Sequence, residues 1–385
     1  MVIPEPPESR LERLFEEGLE AFHSEMYPEA FRLFSVSAGY PPSEFMLGVC
    51  YHNGFGVEQS YPEAMYWYRR AAEQGEIPAQ GTLGYIYLDG EIVERSYEEA
   101  YKWFLKAAEQ GDARAQRRLG DLCFSGRGTE QSYRKAFEWF LKAAEQGDPE
   151  AWYTVGVYYA NGIGVEKSEV KAFEWFLRTA ERGDPDAMDL VGSLYLDGEG
   201  VEQSFEKAFE WFLKAAEQGD PYASVDLGDM YREGKGTEKS EEKAEECYRK
   251  AFDVYSAGAE MGKPQAYLGL GDLYCDGKGV EQSYEEAARW YLKAAEQGDP
   301  IAQHHLAEMY CEGKGVEQSY AEAARWYLKV AEQMNPVPMK ILGDMYRDGK
   351  GVEKSEEKAR EWYRKAADMG NEDARKALDK LDKDY

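Results

Sequence analysis

The sequence is poor in the residues on which most chemistry is built. Four histidines occur in 385 residues (His23, His52, His304 and His305), so acid–base pairs and metal centres built on imidazole have few places to form. No G-x-S-x-G, H-E-x-x-H or phosphate-binding Gly-Lys-Ser/Thr loop is present, which leaves out the sequence signatures of serine hydrolases, zincins and P-loop proteins. The five cysteines (Cys50, Cys123, Cys247, Cys275 and Cys311) are sparse and odd in number, unlike the dense paired set of a secreted disulfide scaffold. Positive charge is scarce as well. Lys and Arg number 46 against 74 Asp and Glu, a formal charge of −28. That balance argues against broad binding to nucleic acid, which needs a basic surface to displace counterions, and disfavours anionic membrane. No apolar run approaches the roughly 20 residues that span a bilayer. The start, Met1-Val2-Ile3-Pro4-Glu5-Pro6-Pro7-Glu8, lacks the basic and apolar regions of a secretory signal. A cytoplasmic setting is expected, although a secreted chain after leader removal would look the same.

What the chain does have is a large apolar fraction and a strict period. Hydrophobic residues make up 43% and aromatics 14%, enough for a substantial core. Length alone would predict two or three domains, but internal repetition must be tested first. Trp67, Trp103, Trp139, Trp175 and Trp211 are each 36 residues apart; Cys247 takes the next slot, and Trp290, Trp326 and Trp362 resume the step after one interval of 43. The glycines Gly75, Gly111, Gly147, Gly183, Gly219, Gly262, Gly298 and Gly370 keep the same count, with Met334 in the missing place. Most of the 38 glycines fall in four columns of this repeat, so they punctuate an array and are not low complexity.

Each unit predicts two antiparallel helices. In helix A of one unit, Ala187, Val191, Leu194 and Tyr195 recur at helical spacing, and Pro185 suits a first turn. Gly192 lies mid-helix at a cost of about 1 kcal/mol relative to Ala, which a close approach by a neighbouring helix would explain. Ser204 is placed to cap helix B; Ser60, Ser96, Ser283 and Ser319 add Glu three residues later, the capping-box pattern. Gly219 fits a left-handed helix stop. A pair this short cannot bury its apolar stripe alone, so neighbours must stack.

The columns A-x-x-x-L-G-x-x-Y-x-x-G-x-G-V and A-x-x-W-[YF]-x-x-A-A-x-x-G, matched by nine units from about Ser43 to Gly370, resemble the Sel-one-like repeat (SLR) family, relatives of the tetratricopeptide repeat. The resemblance implies an all-α, right-handed α/α superhelical solenoid, continuous rather than divided into separate domains. Residues 1–10 are expected as a flexible Pro-rich end. Residues 11–42, with Gly18, Ala30, Phe34 and Pro42, resemble a tetratricopeptide-like capping pair. The nine repeats occupy 43–371 and a capping helix 372–385, where Asp379 takes the glycine slot.

Uniform columns build the scaffold, so specificity must come from the variable ones. Positions 2, 6 and 9 of helix A, counted from the alanine column, share one helix face, and the resemblance implies that helix A lines the concave groove. The first half of that ladder offers Phe45, Val49, His52, Tyr85, Leu88, Phe124, Tyr153, Val157 and Leu196. The second offers Asp226, Asp229, Arg232, Asp272, His304, Glu308, Lys340, Asp344 and Arg347. An apolar stretch followed by an acidic, mixed-charge one fits a protein or peptide partner with an apolar anchor and a basic segment. Equally, the aromatics could pack on adjacent helices and the charges form surface i,i+3 pairs. Trp152, outside the tryptophan column, reads either as packing between repeats or as an anchor for a partner. The basic spot Arg117-Arg118 reads either as a contact for an acidic group or as neutralisation of neighbouring repeats.

A seven-residue insertion lengthens helix B of the sixth repeat, with Cys247–Asp253 as the extra stretch and Gly258 as a kink point. About 10 Å of added helix could project as a contact surface, alter curvature, or do nothing. His304, Glu308 and Cys311 are a weak zinc candidate at i, i+4, i+7, with Asp272 and Cys275 one repeat earlier; otherwise no metal and no cofactor is expected. The reading is a non-catalytic interaction scaffold or adaptor, as in bacterial relatives linked to signalling, envelope stress, secretion or host interaction. The alternatives are an acidic inhibitor or immunity-type protein masking a basic partner, and a β-lactamase-like hydrolase. The hydrolases among the family's relatives carry regular disulfide pairs that this chain lacks.

Overall fold

A computed structural model of the chain describes residues 7–333 and 335–383. It is all-α, a solenoid-type stack of helix pairs, and among the described residues no strand occurs. Among the described residues twenty-one helices run from α1 (Pro7–His23) to α21 (Glu372–Lys383). Residues 7–10, expected within the flexible end, are the first turn of α1; residues 1–6, 384–385 and Met334 lie outside the described residues.

The helices fall into two compact units. The first extends through Ala187 and takes in Asp197–Glu202; the second comprises Met188–Leu196 and the chain from Gln203. Both are built on one device. In eight of the nine repeats helix A carries a glycine that receives the aromatic ring of its own helix B, and Ala307 takes the slot in the eighth. In the first unit these pairs are Gly84 with Phe104 and Gly120 with Phe140; in the second they include Gly192 with Phe212 and Gly228 with Tyr248. A Cβ on Gly192 would lie 2.7 Å from the Phe212 ring, inside contact distance, which is why an unfavourable helix residue is kept there. The capping pair uses the same lock, with Gly18 against Phe34 of α2 (Tyr27–Val36).

Helix ends follow the sequence chemistry. Ser96, Ser204, Ser283 and Ser319 each accept a backbone N–H three residues on, at 3.2–3.3 Å. Ser60 occupies the same slot before α4 (Tyr61–Glu73) without a side-chain cap bond. Gly219 has φ 88°, and Asp220 beyond it both donates its N–H to the Ala215 carbonyl and caps the next helix by accepting from the Ala223 N–H. One Gly-Asp-Pro turn thereby stops one helix and starts the next.

The insertion lengthens helix B of the sixth repeat without breaking it. α14 (Glu241–Glu260) is one 20-residue helix; one face of the added turns is buried, while Arg249, Lys250 and Asp253 stay exposed. Ala251 and Tyr255 are core residues. Tyr255 packs on Gly269 of α15 (Pro264–Asp276), while a Cβ on Gly258 would meet the Ala266 methyl at 2.8 Å. Gly258 is therefore a close-approach residue between helices. Seven residues is nearly two turns, so Tyr255 falls below Tyr248 on the same helix face, and the glycine–aromatic lock is made twice on one helix. At the far end α21 covers the last pair. Ala374 is fully buried on its inner face, and Arg360 holds Asp382 at 3.0 Å.

Candidate functional site

In the first unit the ladder at positions 2, 6 and 9 of helix A is rich in aromatics. Phe45 lies 5.8 Å from the Tyr68 ring, Tyr85 meets Phe104 edge-on at 5.1 Å, and Tyr153 lies 5.4 Å from Phe176. These side chains thus cover the rings that fill the glycine slots. His52 sits edge-on to Tyr61 and Tyr68. Val49, Leu88 and Val157 are half-buried. Phe124 and Tyr153 each remain 44% exposed despite their ring contacts, as does Tyr133 beside Phe124 at 45%. Behind Phe124, Tyr158 is 4% exposed and its hydroxyl has no hydrogen-bond partner.

Two singular features of this unit are joints between repeats. At position 1, Gln80 and Gln116 donate to the carbonyls of Ala72 and Ala108 in the preceding repeat and accept from Gln110 and Gln146 thirty residues on. Trp152 takes that position and its indole N–H donates to the Ala144 carbonyl at 2.7 Å. The glutamine thirty residues later is replaced by Arg182, whose guanidinium lies 5.4 Å from the Trp152 ring. A glutamine pair has been exchanged for a cation–π pair. Arg117 is likewise internal. It contacts Glu150 at 2.6 Å and Asp148 at 3.5 Å with its own side chain only 14% exposed, while Arg118 lies over Tyr85 and pairs with Asp121.

In the second unit the ladder is charged, and most of its charge is already matched. Asp229 accepts from the Tyr248 hydroxyl, Arg232 and Lys278, at 2.7, 2.7 and 2.9 Å. Asp344 accepts from Tyr363 and Lys340 at 2.7 and 2.6 Å and pairs with Arg347 at 3.2 Å. Asp272 accepts from Tyr291 at 2.7 Å, and burial pushes its carboxyl above the ordinary value. Glu308 lies 3.5 Å from both His304 and His305. The Cys275 and Cys311 thiols are pushed up by burial, away from the thiolate that binds zinc. Among the described residues no three His, Cys, Asp or Glu side chains are grouped to hold a metal ion, so His304, Glu308 and Cys311 do not form the weak zinc set the spacing allowed. Leu196 belongs to this unit and is half-buried.

Sequence reasoning missed the tyrosine–carboxylate pairs. Their signal was present: Asp229, Asp272 and Asp344 each precede by 19 residues a tyrosine that stands where the first unit mostly has phenylalanine. It also missed a cavity in the second unit between Tyr222, Tyr255 and the carboxylates of Asp226 and Asp272. Only the buried course of α14 brings Tyr255 there.

A ladder of variable side chains on a repeated helix-pair scaffold defines an α-solenoid of the interaction type. The Sel1 repeat model matches residues 41–76, 77–112, 113–148, 149–184, 185–220, 221–253, 264–299, 300–333 and 339–371. The chain belongs to the Sel1 repeat family, whose members generally mediate protein–protein interactions and typically act as non-catalytic scaffolds. Among solved structures, it is similar to a protective antigen of uropathogenic Escherichia coli displaying an SLR fold (32% identity, TM-score 0.63, covering 97% of this chain and 88% of that one). It is also similar to a Sel1 repeat protein from Oxalobacter formigenes (32% identity, TM-score 0.50, covering 82% and 90%). A search of curated proteins finds no match. No described helix is long and apolar enough to cross a membrane.

Proposed function

We propose that the protein is a non-catalytic scaffold that holds a protein partner on the inner face of its A helices, anchored in the first unit. The observation that carries this reading is the partial exposure of Phe124 and Tyr153 on the variable face of the A helices, each 44% exposed; the exposed Tyr61, Tyr133, Tyr284 and Tyr320 recur in one helix B column and belong to the scaffold. Large aromatic side chains left half in water on a rigid surface are the usual centres of binding energy. The partner therefore presents an apolar anchor to Phe124 and Tyr153. Its basic part is short, because Asp229 and Asp344 already hold cations of this chain.

The test is capture of partner from native lysate by the wild-type protein and by Phe124→Ala/Tyr153→Ala. Loss of at least tenfold in the retained partner, with unchanged thermal unfolding, is expected. Equal capture by a folded double variant sinks the reading. An acidic inhibitor that works by masking a basic partner would instead lose its complex in high salt and keep it in the double variant.

A further inference from the structure

The insertion brings together two tyrosines of the sixth repeat. Tyr255 from α14 meets Tyr222 from α13 (Pro221–Glu233), the rings edge-on with centroids 5.7 Å apart. Together with Val225, Gly269 and Leu273 they wall a cavity of about 270 Å³. Three departures from the repeat converge here: a tyrosine before the alanine column, a second aromatic on helix B, and Gly269, which a side chain would exclude because the Tyr255 ring fills its Cβ position.

The polar lining is lopsided. Asp226 and Asp229 of α13 face it with Asp272 and Asp276 of α15, and Lys278 is the one basic residue in the lining. Lys278 is shared between Asp229 at 2.9 Å and Asp276 at 3.5 Å, and Arg232 also pairs with Asp229. Asp272, deeper in, accepts from the neutral hydroxyl of Tyr291. The negative field extends to the wall: burial, Asp272, Asp220 and Asp299 push the Tyr222 phenol above its ordinary value.

We propose that this cavity receives the cationic end of one arginine or lysine side chain of the protein partner, between the tyrosine rings and the carboxylates of Asp226 and Asp272. The inference rests on the scaffold reading and deepens it. Aromatic rings attract a cation through their quadrupole, and carboxylates bind it by charge-assisted hydrogen bonds. A volume below the ~300–1,000 Å³ of small-molecule sites suits a single side chain. Tyr222 in the lining is 43% exposed, so the aromatic wall of the cavity reaches solvent.

The experiment titrates the full chain with Nα-acetyl-arginine amide at low salt, following tyrosine-labelled NMR signals. Nα-acetyl-citrulline amide, a neutral isostere, is the control. Saturable shifts at Tyr222 and Tyr255 with arginine are expected, with citrulline at least about tenfold weaker, a 1.4 kcal/mol difference. Asp226→Asn/Asp272→Asn, checked to be folded by its thermal unfolding, should weaken arginine at least fivefold. Equal shifts from the two probes, no saturable shift from arginine, or full arginine binding to the double variant would overturn the proposal. The citrulline comparison uses the native chain and stands even where a variant unfolds. Arginine failing to bind while Phe124→Ala/Tyr153→Ala still abolishes capture removes the cavity and leaves the scaffold; arginine binding with capture unchanged in that variant does the reverse.

Discussion

At position 6 of helix A the first unit carries Val49, Tyr85, Asp121 and Val157, while the second carries Asp229, Asp272, Glu308 and Asp344 among others. The helix B rings beneath them differ in step: Tyr68, Phe104, Phe140 and Phe176 in one, Tyr248, Tyr291, Tyr327 and Tyr363 in the other. In the first unit hydrocarbon mostly meets hydrocarbon, and Phe124 and Tyr153 of the variable face stay 44% exposed. In the second, three tyrosine hydroxyls each find a carboxylate at 2.7 Å. The contrast separates charge in a sequence from charge open to a partner. A buried hydroxyl needs an acceptor, and the acidic ladder supplies it.

Ways to break this comparison run from what the units share to what divides them. Gly120→Leu and Gly228→Leu strike the shared lock, and each should cost about 3 kcal/mol or more, the upper range for overpacking. Denaturant unfolding checks this, and a cost under ~1 kcal/mol in either unit would refute the lock there. Asp229→Ala strips the acceptor from Tyr248, Lys278 and Arg232, with an expected loss of about 1–3 kcal/mol. The contrast can also be transplanted. Phe104→Tyr alone should destabilise by ~1–2 kcal/mol through an unmatched hydroxyl, and adding Tyr85→Asp should recover part of it as a favourable coupling of at least ~0.5 kcal/mol. No coupling in the cycle would mean that the pairing is incidental.

Trp152→Gln should cost about 1 kcal/mol, and Trp152→Gln with Arg182→Gln, which restores the glutamine pair, should lie within ~0.5 kcal/mol of wild type. Additive losses in thermal unfolding would contradict the exchange. The smallest effect is on pH. The Asp272 carboxyl is raised by burial from its ordinary 3.8, so the folded state holds that proton more tightly than the unfolded chain, and this contribution falls as pH rises through the window above 3.8. Asp272→Asn keeps an acceptor for Tyr291 and removes the penalty. It should unfold at a slightly higher temperature than wild type at pH 7, the gap closing as pH drops toward 4. A gap that widens on acidification would reverse the sign.

The scaffold was legible in the sequence because the helix-pair device is local: a glycine, a ring, a capping serine and a Gly-Asp-Pro turn recur at fixed counts. Phe124 and Tyr153 could be found as departures in a variable column, although their exposure could not. Of the two readings of the acidic ladder, the i,i+3 pairs Asp229–Arg232 and Asp344–Arg347 are present, but partners such as Asp229 and Lys278 lie 49 residues apart and meet only after adjacent repeats stack. For Trp152 the two readings, packing between repeats and an anchor for a partner, stayed open because its counterpart, Arg182, stands in a different column. The insertion was hardest to read. A seven-residue shift keeps one helix face in register, and only Gly269, on the next helix, reveals that the face is buried.

The central claim is that affinity resides in the exposed aromatics of the first unit. The most direct measurement is the Kd of the captured partner, purified, for wild type and for Phe124→Ala/Tyr153→Ala at matched unfolding temperature. The account predicts a loss of at least about tenfold, 1.4 kcal/mol or more. An unchanged Kd with both proteins folded would contradict it.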